Sequence, residues 1–282
     1  MRELNGRPVA EAIGEEIKEK LPGVEMMLGR KPKLAVIRCG EKPEDLSYER
    51  NAIRRIREFG MEAESIVFPE DVNDNIFQRA FGKINEDKRT DGILLMRPLP
   101  PQLNEGFIIS CMDSEKDVDG ISPVNAAGLY LGTDGFAPCT AQAVVELLKY
   151  YKISLAGKNV GIIGRSNVVG KPLSMLLLKE DATVTICHSR TAELQKVSRR
   201  ADILISAIGR PRMINSDYIK RSCVVIDVGI NTDRDGKLCG DVDFEDCRLK
   251  ASAITPVPGG VGAVTTAVLA KHLLLAANRD LL

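Results

Sequence analysis

Val160-Gly161-Ile162-Ile163-Gly164-Arg165-Ser166-Asn167-Val168-Val169-Gly170-Lys171-Pro172 is the stretch that decides the fold. Its first four residues form a short apolar run that reads as a buried strand, and a glycine follows at once. A second glycine, six residues on, opens a helix. A glycine lets the chain turn sharply, and another lets the backbone approach a pyrophosphate closely. The helix start then offers amide N–H groups and the positive end of its dipole. The spacing is not the common G-x-G-x-x-G of dinucleotide-binding turns. It is not a P-loop either: five residues separate the glycines instead of four, and Pro172 stands where Ser or Thr must hold magnesium. A glycine-rich strand-to-helix turn can also bind nothing. Two features argue against that here. Arg165 directly follows the first glycine, placed to meet a ribose 2′-phosphate. The next strand, Thr183–Ile186, leads into Cys187-His188-Ser189-Arg190-Thr191. An acidic residue at that strand end would favour NAD. Ser189 and Arg190 are a hydrogen-bond donor and a cation, which suit NADP, although both arginines could be solvated surface.

Outward from this turn, strand and helix alternate in both directions. Upstream, residues 6–30 read as one amphipathic helix, with Val9, Ile13, Ile17 and Leu21 at helical spacing, although Pro22-Gly23 interrupts the pattern. Strands are expected at 34–38, 62–68 and 92–96, with helices at 46–59 and 73–85 between them. Residues 113–140 carry turn chemistry, in Asp117-Val-Asp-Gly120, Ser122-Pro123 and Gly132-Thr-Asp-Gly135, and mark the domain junction. Thr140 is expected to cap a helix through Val144, Leu147 and Leu148. Downstream come strands at 160–163, 183–186, 203–206 and 224–227, with helix starts near Gly170, Ala192 and Asn215. Residues 264–282 read as a long amphipathic C-terminal helix. The pattern implies an α/β chain of two domains, each with a mainly parallel sheet covered by helices. The expected division is 1–120, with helix 264–282 packing back on it, and a Rossmann-type nucleotide-binding domain at 121–263.

Composition narrows the function. The 282 residues carry 39 Lys+Arg against 39 Asp+Glu. That balance points to neither nucleic acid nor anionic lipid. There is no Trp and only 4% aromatics, so a base-stacking platform is not expected. No window is apolar enough to span a membrane, and Met1–Gly6 has no signal-peptide character. Seven scattered cysteines without Cys-x-x-Cys indicate neither a disulfide framework nor a zinc site. The only histidines, His188 and His272, sit in no ligand-spaced cluster, and no metal site is expected. His188 reads as a strand-end residue near the nucleotide and His272 as an ordinary helix residue. A cytoplasmic enzyme fits these features.

Six segments, taken in order, carry a family resemblance: Lys116-Asp-Val-Asp-Gly120, Pro138-Cys-Thr140, Gly164–Pro172, Ile226-Asp-Val-Gly-Ile-Asn231, Gly240-Asp-Val242 and Thr255-Pro-Val-Pro-Gly-Gly-Val-Gly262. Over nearly its whole length the chain resembles methylenetetrahydrofolate dehydrogenase/methenyltetrahydrofolate cyclohydrolase, the bifunctional folate enzyme of one-carbon metabolism and purine biosynthesis. The resemblance implies a homodimer that binds NADP (NAD being the alternative) on the second domain and tetrahydrofolate against the first. It makes Tyr48 and Asp119 the catalytic and folate-binding pair, with Tyr48 stacking on the pterin and Asp119 hydrogen-bonding it. Pro258, Gly259, Gly260 and Val261 become the loop between cofactor and substrate. Gly164, Arg165, Ser166, Val169, Gly170, Ser189 and Ile230 become cofactor-binding residues.

The chain departs from the family where hydrolysis is concerned. The family places a lysine four residues after the tyrosine, and here that position is Ala52. The family's glutamine before Leu-Pro-Leu-Pro is Met96. Smaller departures are Ala127-Gly128, Ala141, Ala143 and Ala263. Oxidation of the methylene bridge needs alignment, because the folate nitrogens drive the hydride out. Hydrolysis of the methenyl cation needs proton transfer and water activation, which Ala52 and Met96 cannot supply. Arg50, Arg54 and Arg97 lie near in sequence and could partly compensate, although arginine is a poor proton shuttle. The expected activity is dehydrogenase with weak or absent cyclohydrolase. The alternatives are full bifunctionality, a degenerate nucleotide- or folate-binding paralogue, and a dehydrogenase of another small substrate.

Overall fold

The computed structural model describes residues 1–133, 135–233 and 235–278. Asp134 of the 132–135 turn and the last four residues of the expected C-terminal helix lie outside the described residues. Among the described residues the strands are β1 (Arg2–Glu3), β2 (Lys33–Cys39), β3 (Glu62–Phe68), β4 (Gly92–Leu95), β5 (Asn159–Ile163), β6 (Thr183–Cys187), β7 (Ile203–Ser206), β8 (Val224–Asp227), β9 (Asn231–Thr232), β10 (Leu238–Cys239) and β11 (Ala253–Ile254). The helices are α1 (Gly6–Leu28), α2 (Pro43–Glu58), α3 (Asp74–Glu86), α4 (Glu105–Cys111), α5 (Pro123–Leu131), α6 (Cys139–Tyr150), α7 (Gly170–Lys179), α8 (Leu194–Ser198), α9 (Phe244–Cys247) and α10 (Val261–Ala277). None of them is long and apolar enough to cross a membrane.

The chain forms two compact units. One combines Met1–Glu11 with Thr140–Thr265, the other Ala12–Cys139 with Thr266–Leu282. The first unit holds a six-stranded sheet in the order β1-β11-β8-β7-β5-β6, parallel at every pairing. The order reverses at β5, with β6 on one side and β7 on the other. In open α/β sheets, ligands bind outside the strand carboxyl ends at such a switch point. Ile163, Leu204, Ile219, Val225 and Ile254 belong to one of its buried clusters.

The second unit holds the three-stranded parallel sheet β3-β2-β4. Phe77, Phe81, Ile93, Leu95 and Ile108 belong to a core on this sheet. Helix α2 starts with Pro43 in its first turn and carries Glu44 and Asp45 there, with Arg55 and Arg57 in its last turn. Both choices complement the helix dipole. Asn73 caps α3, accepting from the Asn75 amide at 3.0 Å.

Several expectations need correction. Helix α1 is the single helix expected over 6–30, ending at Leu28, and it runs unbroken through Pro22, which lies on the exposed face and costs one backbone bond, to an equally exposed Lys18 residue. Thr140 is not a cap, because α6 begins at Cys139, whose amide donates to Asp119 Oδ1 at 3.3 Å. The boundary between the units falls at Cys139/Thr140, inside the expected junction of 113–140, and residues 113–139 lie before it. They contain helix α5, capped by Ser122 and closed by left-handed Gly132, and they lie in the three-stranded unit. The cause is Asp117, fully buried, which accepts from the amides of Ile121 (3.0 Å) and Ser122 (2.7 Å) and from Asn125 Nδ2 (2.9 Å). Conversely, residues 1–11 lie in the six-stranded unit. The start expected near Asn215 gives only a 3₁₀ turn, Ser216–Tyr218. Helix α10 starts at Val261 and is not amphipathic: it is buried on nearly every side.

Candidate active site

In the six-stranded unit the phosphate turn leaves β5 at its carboxyl end. Gly164 has φ +130°, and a Cβ there would lie 2.3 Å from the Ala207 carbonyl oxygen. A Cβ on Gly170 would lie 2.2 Å from the Gly164 oxygen. The two glycines therefore pack the turn against β7 and the helix start against the turn. Residues Arg165–Val168 project into solvent between them. Ser166 Oγ accepts from the Val169 amide (3.0 Å), and the Ser166 carbonyl accepts from the Lys171 amide (3.0 Å). Pro172 has no amide. The helix start is thus partly satisfied from within, and the Ser166 hydroxyl proton remains for a ligand. At the end of β6, His188 is half-buried: its amide donates to Thr191 Oγ1 (2.9 Å), and its Nδ1 accepts from the Arg190 amide (3.1 Å). That bond shapes the turn which exposes Ser189 and Arg190. With Arg165 exposed as well, the donor set is cationic and contains no carboxylate, which fits a phosphate-bearing nucleotide.

Two buried aspartates, overlooked in the sequence except as family markers, organise the loops of the same sheet edge. Asp241 Oδ2 accepts from the Ile208 amide (2.7 Å) and from Ser206 Oγ (3.1 Å). Its Oδ1 accepts from the Arg210 amide and from Asn231 Nδ2, both at 2.9 Å. Asp227 accepts from the amides of Gly229 (2.9 Å), Asp241 (3.0 Å) and Val242 (2.8 Å). Its own amide donates to Thr255 Oγ1 at 2.7 Å. Burial raises the Asp227 carboxyl to about 6, against these backbone donors. Gly240 and Gly229 are glycines because a Cβ would lie 1.8 Å from an Asp227 carboxylate oxygen or 2.3 Å from that of Asp241. The pattern Asp-x-Gly…Gly-Asp was the available signal. Ile230 stands exposed beside this clamp. A Cβ on Gly262 would lie 3.6 Å from Ile230 Cδ1, so Ile230 faces the 255–262 loop. In that loop Gly259 has φ +105°, Val257-Pro258 is cis, and Gly260 approaches the Pro256 carbonyl too closely for any side chain.

In the three-stranded unit the structure brings Tyr48 and Asp119 together and adds Cys139. Tyr48 is half-buried on α2. Burial, then the charge of Asp119, then Cys139, push its hydroxyl well above the usual range. Burial raises the Asp119 carboxyl to about 6, opposed by Cys139 and, more weakly, by Arg97. His272 is a helix residue, as expected, and it is buried in α10. Its Nδ1 lies 2.9 Å from the Val118 carbonyl oxygen, so the neutral ring donates there, next to Asp119. Burial holds its pKa down at about 4. Cys139 Sγ lies 3.2 Å from the same oxygen.

Ala52 and Met96 are both buried. Arg97 pairs with Glu105 at 3.8 Å. At 100° per residue, Arg50 and Arg54 each stand about 160° around α2 from Ala52. They line an outward groove of about 580 Å³ with Ile53, Arg57 and Glu58. The structure therefore does not bring Arg50 or Arg54 to the Ala52 position.

Comparison with known proteins identifies the family. A family model described as tetrahydrofolate dehydrogenase/cyclohydrolase, catalytic domain, matches residues 4–119, and its NAD(P)-binding domain counterpart matches residues 138–281. The bifunctional protein FolD of Alkaliphilus oremlandii (strain OhILAs) is 51% identical over 274 residues, 97% of this chain and 96% of that protein. The crystal structure of bifunctional FolD, methylenetetrahydrofolate dehydrogenase/cyclohydrolase, from Campylobacter jejuni has a TM-score of 0.95 at 39% identity, over 99% of both chains. The Trypanosoma brucei enzyme, complexed with NADP cofactor and inhibitor, has a TM-score of 0.92 at 36% identity, covering 98% of this chain and 97% of that one. The chain belongs to the tetrahydrofolate dehydrogenase/cyclohydrolase family.

Proposed function

We propose that this protein oxidises methylenetetrahydrofolate to methenyltetrahydrofolate with NADP, and hydrolyses the methenyl product slowly or not at all. One observation carries the second half: Ala52 and Met96, which by the resemblance stand where the family has lysine and glutamine, are both buried and without a titratable group. NADP, when bound, accepts the hydride from the methylene carbon. Tyr48 stacks on the pterin, and the Asp119 carboxylate accepts its hydrogen bonds. Arg165, Ser189 and Arg190 hold the 2′-phosphate, and Gly164, Ser166, Val169 and Gly170 meet the pyrophosphate. Ile230 and Pro258–Val261 border the ring. None of these groups needs to move a proton, since the folate nitrogens expel the hydride.

Hydrolysis makes other demands. Water must lose a proton as it attacks, and the ring nitrogen must gain one as the bridge opens. Asp119 has no basic side chain at Ala52 to work with. Arg50 and Arg54 face away, and Arg97 is paired with Glu105. A paired assay of the purified protein tests the proposal. NADP reduction by methylenetetrahydrofolate is expected at an ordinary rate, with methenyltetrahydrofolate decaying near the buffer rate. Hydrolysis at a comparable turnover would sink the second half, and absence of NADP reduction the first. Ala52→Lys with Met96→Gln should raise hydrolysis by roughly 10²-fold, the scale of a restored acid–base pair.

We also propose a homodimer. β6 is the outer strand of the six-stranded sheet, and Thr183, Thr185 and Ile186 on it are exposed. Such an edge is a pairing surface unless it is covered. Light scattering should give twice the 30.8 kDa chain mass; a monomer at micromolar concentration would refute this.

A further inference from the structure

We infer that Asp241 is a positioning residue for the nucleotide: without touching it, Asp241 fixes the loops that border it and so sets nucleotide affinity separately from folate affinity. The inference rests on the NADP reading above. Asp241 is fully buried, and its two carboxylate oxygens accept four hydrogen bonds. An ionised carboxylate has about four such acceptor sites, so it is saturated. Its donors come from two loops that leave the carboxyl edge of the sheet. Ser206 is the last residue of β7, and Ile208 and Arg210 belong to the segment that follows it, on the far side of the switch point from β6. Asn231 follows β8 and adjoins exposed Ile230.

The segment after β7 is also the wall on which the phosphate turn rests, since the Ala207 carbonyl closes against Gly164. A shift of Ile208 by a fraction of an ångström therefore reaches the turn through Ala207. Asp227 anchors Asp241 from below, accepting its amide at 3.0 Å, and through Thr255 it reaches the start of the 255–262 loop. Three loops at one sheet edge thus depend on two adjacent carboxylates. Acceptor capacity matters here as well as shape. An amide in place of the Asp241 carboxylate would present a donor to at least one of the Ile208 and Arg210 N–H groups, where an acceptor is required.

The test is Asp241→Asn in the full-length protein. NADPH binding is followed by its fluorescence, and the KM for methylenetetrahydrofolate is measured at saturating NADP. The NADPH Kd is expected to rise at least tenfold with the folate KM changed less than twofold. Ser206→Ala removes one of the four bonds and leaves the fold intact, so it serves if Asp241→Asn does not fold; about a threefold rise in NADPH Kd is expected. Circular dichroism and thermal unfolding confirm that each variant is folded. An NADPH Kd within twofold of the parent in Ser206→Ala and in folded Asp241→Asn, or equal losses for nucleotide and folate, would overturn the inference. Failure of the parent itself to bind NADPH would overturn the NADP reading instead.

Discussion

Asp119 is held in an environment that disfavours its charge. Burial raises its carboxyl from 3.8 to about 6. A carboxyl with a raised folded pKa adds stability below its unfolded pKa and loses that contribution as the pH climbs through the folded one. Between about pH 4 and pH 6 the fold therefore gives up stability, so that Asp119 is ionised near neutrality. Two pK units correspond to about 3 kcal/mol, and partial exposure reduces this to roughly 1–2 kcal/mol. Asp119→Asn should raise the melting temperature by a few degrees at pH 7.5 and by nothing at pH 4, measured by calorimetry. The same variant should lose folate affinity. In the parent the folate KM should fall as the pH rises through 6, and the substitution should abolish that inflection. His272 slopes the other way. Its pKa is depressed to about 4, so its contribution is present above 6.5 and lost as the pH falls towards 4. The sequence marks Asp119 as a candidate folate-binding residue only through resemblance. Its neighbour Asp117, two positions away and fully buried, looks the same in the sequence and holds the backbone instead. Which aspartate turns inward depends on Asn125, Ile121 and Ser122, and no local pattern records that.

The phosphate turn was legible as an element because its physics is local: a buried strand, a glycine, an exposed polar stretch and a glycine at a helix start. What the sequence could not show is that both glycines are required by long-range packing. Gly164 is pressed against Ala207, 43 positions away along the chain, and Gly170 against Gly164. Gly164→Ala combines an unfavourable backbone angle with an overlap on a carbonyl oxygen. It should cost ~2–4 kcal/mol in urea unfolding and abolish NADPH binding. An unfolding midpoint close to that of the parent would show that the β7 segment yields. Helix α5 was hidden for the converse reason. Its flanks, Ser122-Pro123 and Gly132, read as turns, and they are the cap and stop of a nine-residue helix. Short α8 and the 3₁₀ turn at Ser216 begin close to the starts expected near Ala192 and Asn215, but they have too few turns for periodicity to give their extent. Arg50 and Arg54 show a further limit: proximity in sequence to Ala52 is opposition on a helix.

At the scale of the whole molecule, the two units share the chain in an order that composition cannot reveal. Residues 1–11 belong with the six-stranded unit, although most of the residues that follow them in α1 belong with the other. Strand β1 is only two residues long, yet it closes one edge of the six-stranded sheet. Arg2 and Leu4 amides donate to the carbonyls of Ser252 (2.7 Å) and Ile254 (2.8 Å), and Leu4 is fully buried. Tyr151 secures the segment: its hydroxyl donates to the Asn5 carbonyl at 2.8 Å, and its ring lies 4.6 Å beneath the Arg2 guanidinium. The start of α1 is then seated on the 255–262 loop, with the Gly6 amide donating to the Gly259 carbonyl at 2.8 Å. A Cβ on Gly6 would sit 2.0 Å from the Gly260 oxygen. The N-terminal residues thus brace the loop that, by family resemblance, separates cofactor from substrate. Deleting residues 1–5 removes one buried leucine and at least four hydrogen bonds, a loss of roughly 3–5 kcal/mol. The truncated protein should unfold at lower urea, and it should bind NADPH more weakly even where it is still fully folded. Unchanged affinity in the folded truncation would mean that the loop keeps its shape without the N-terminal strand.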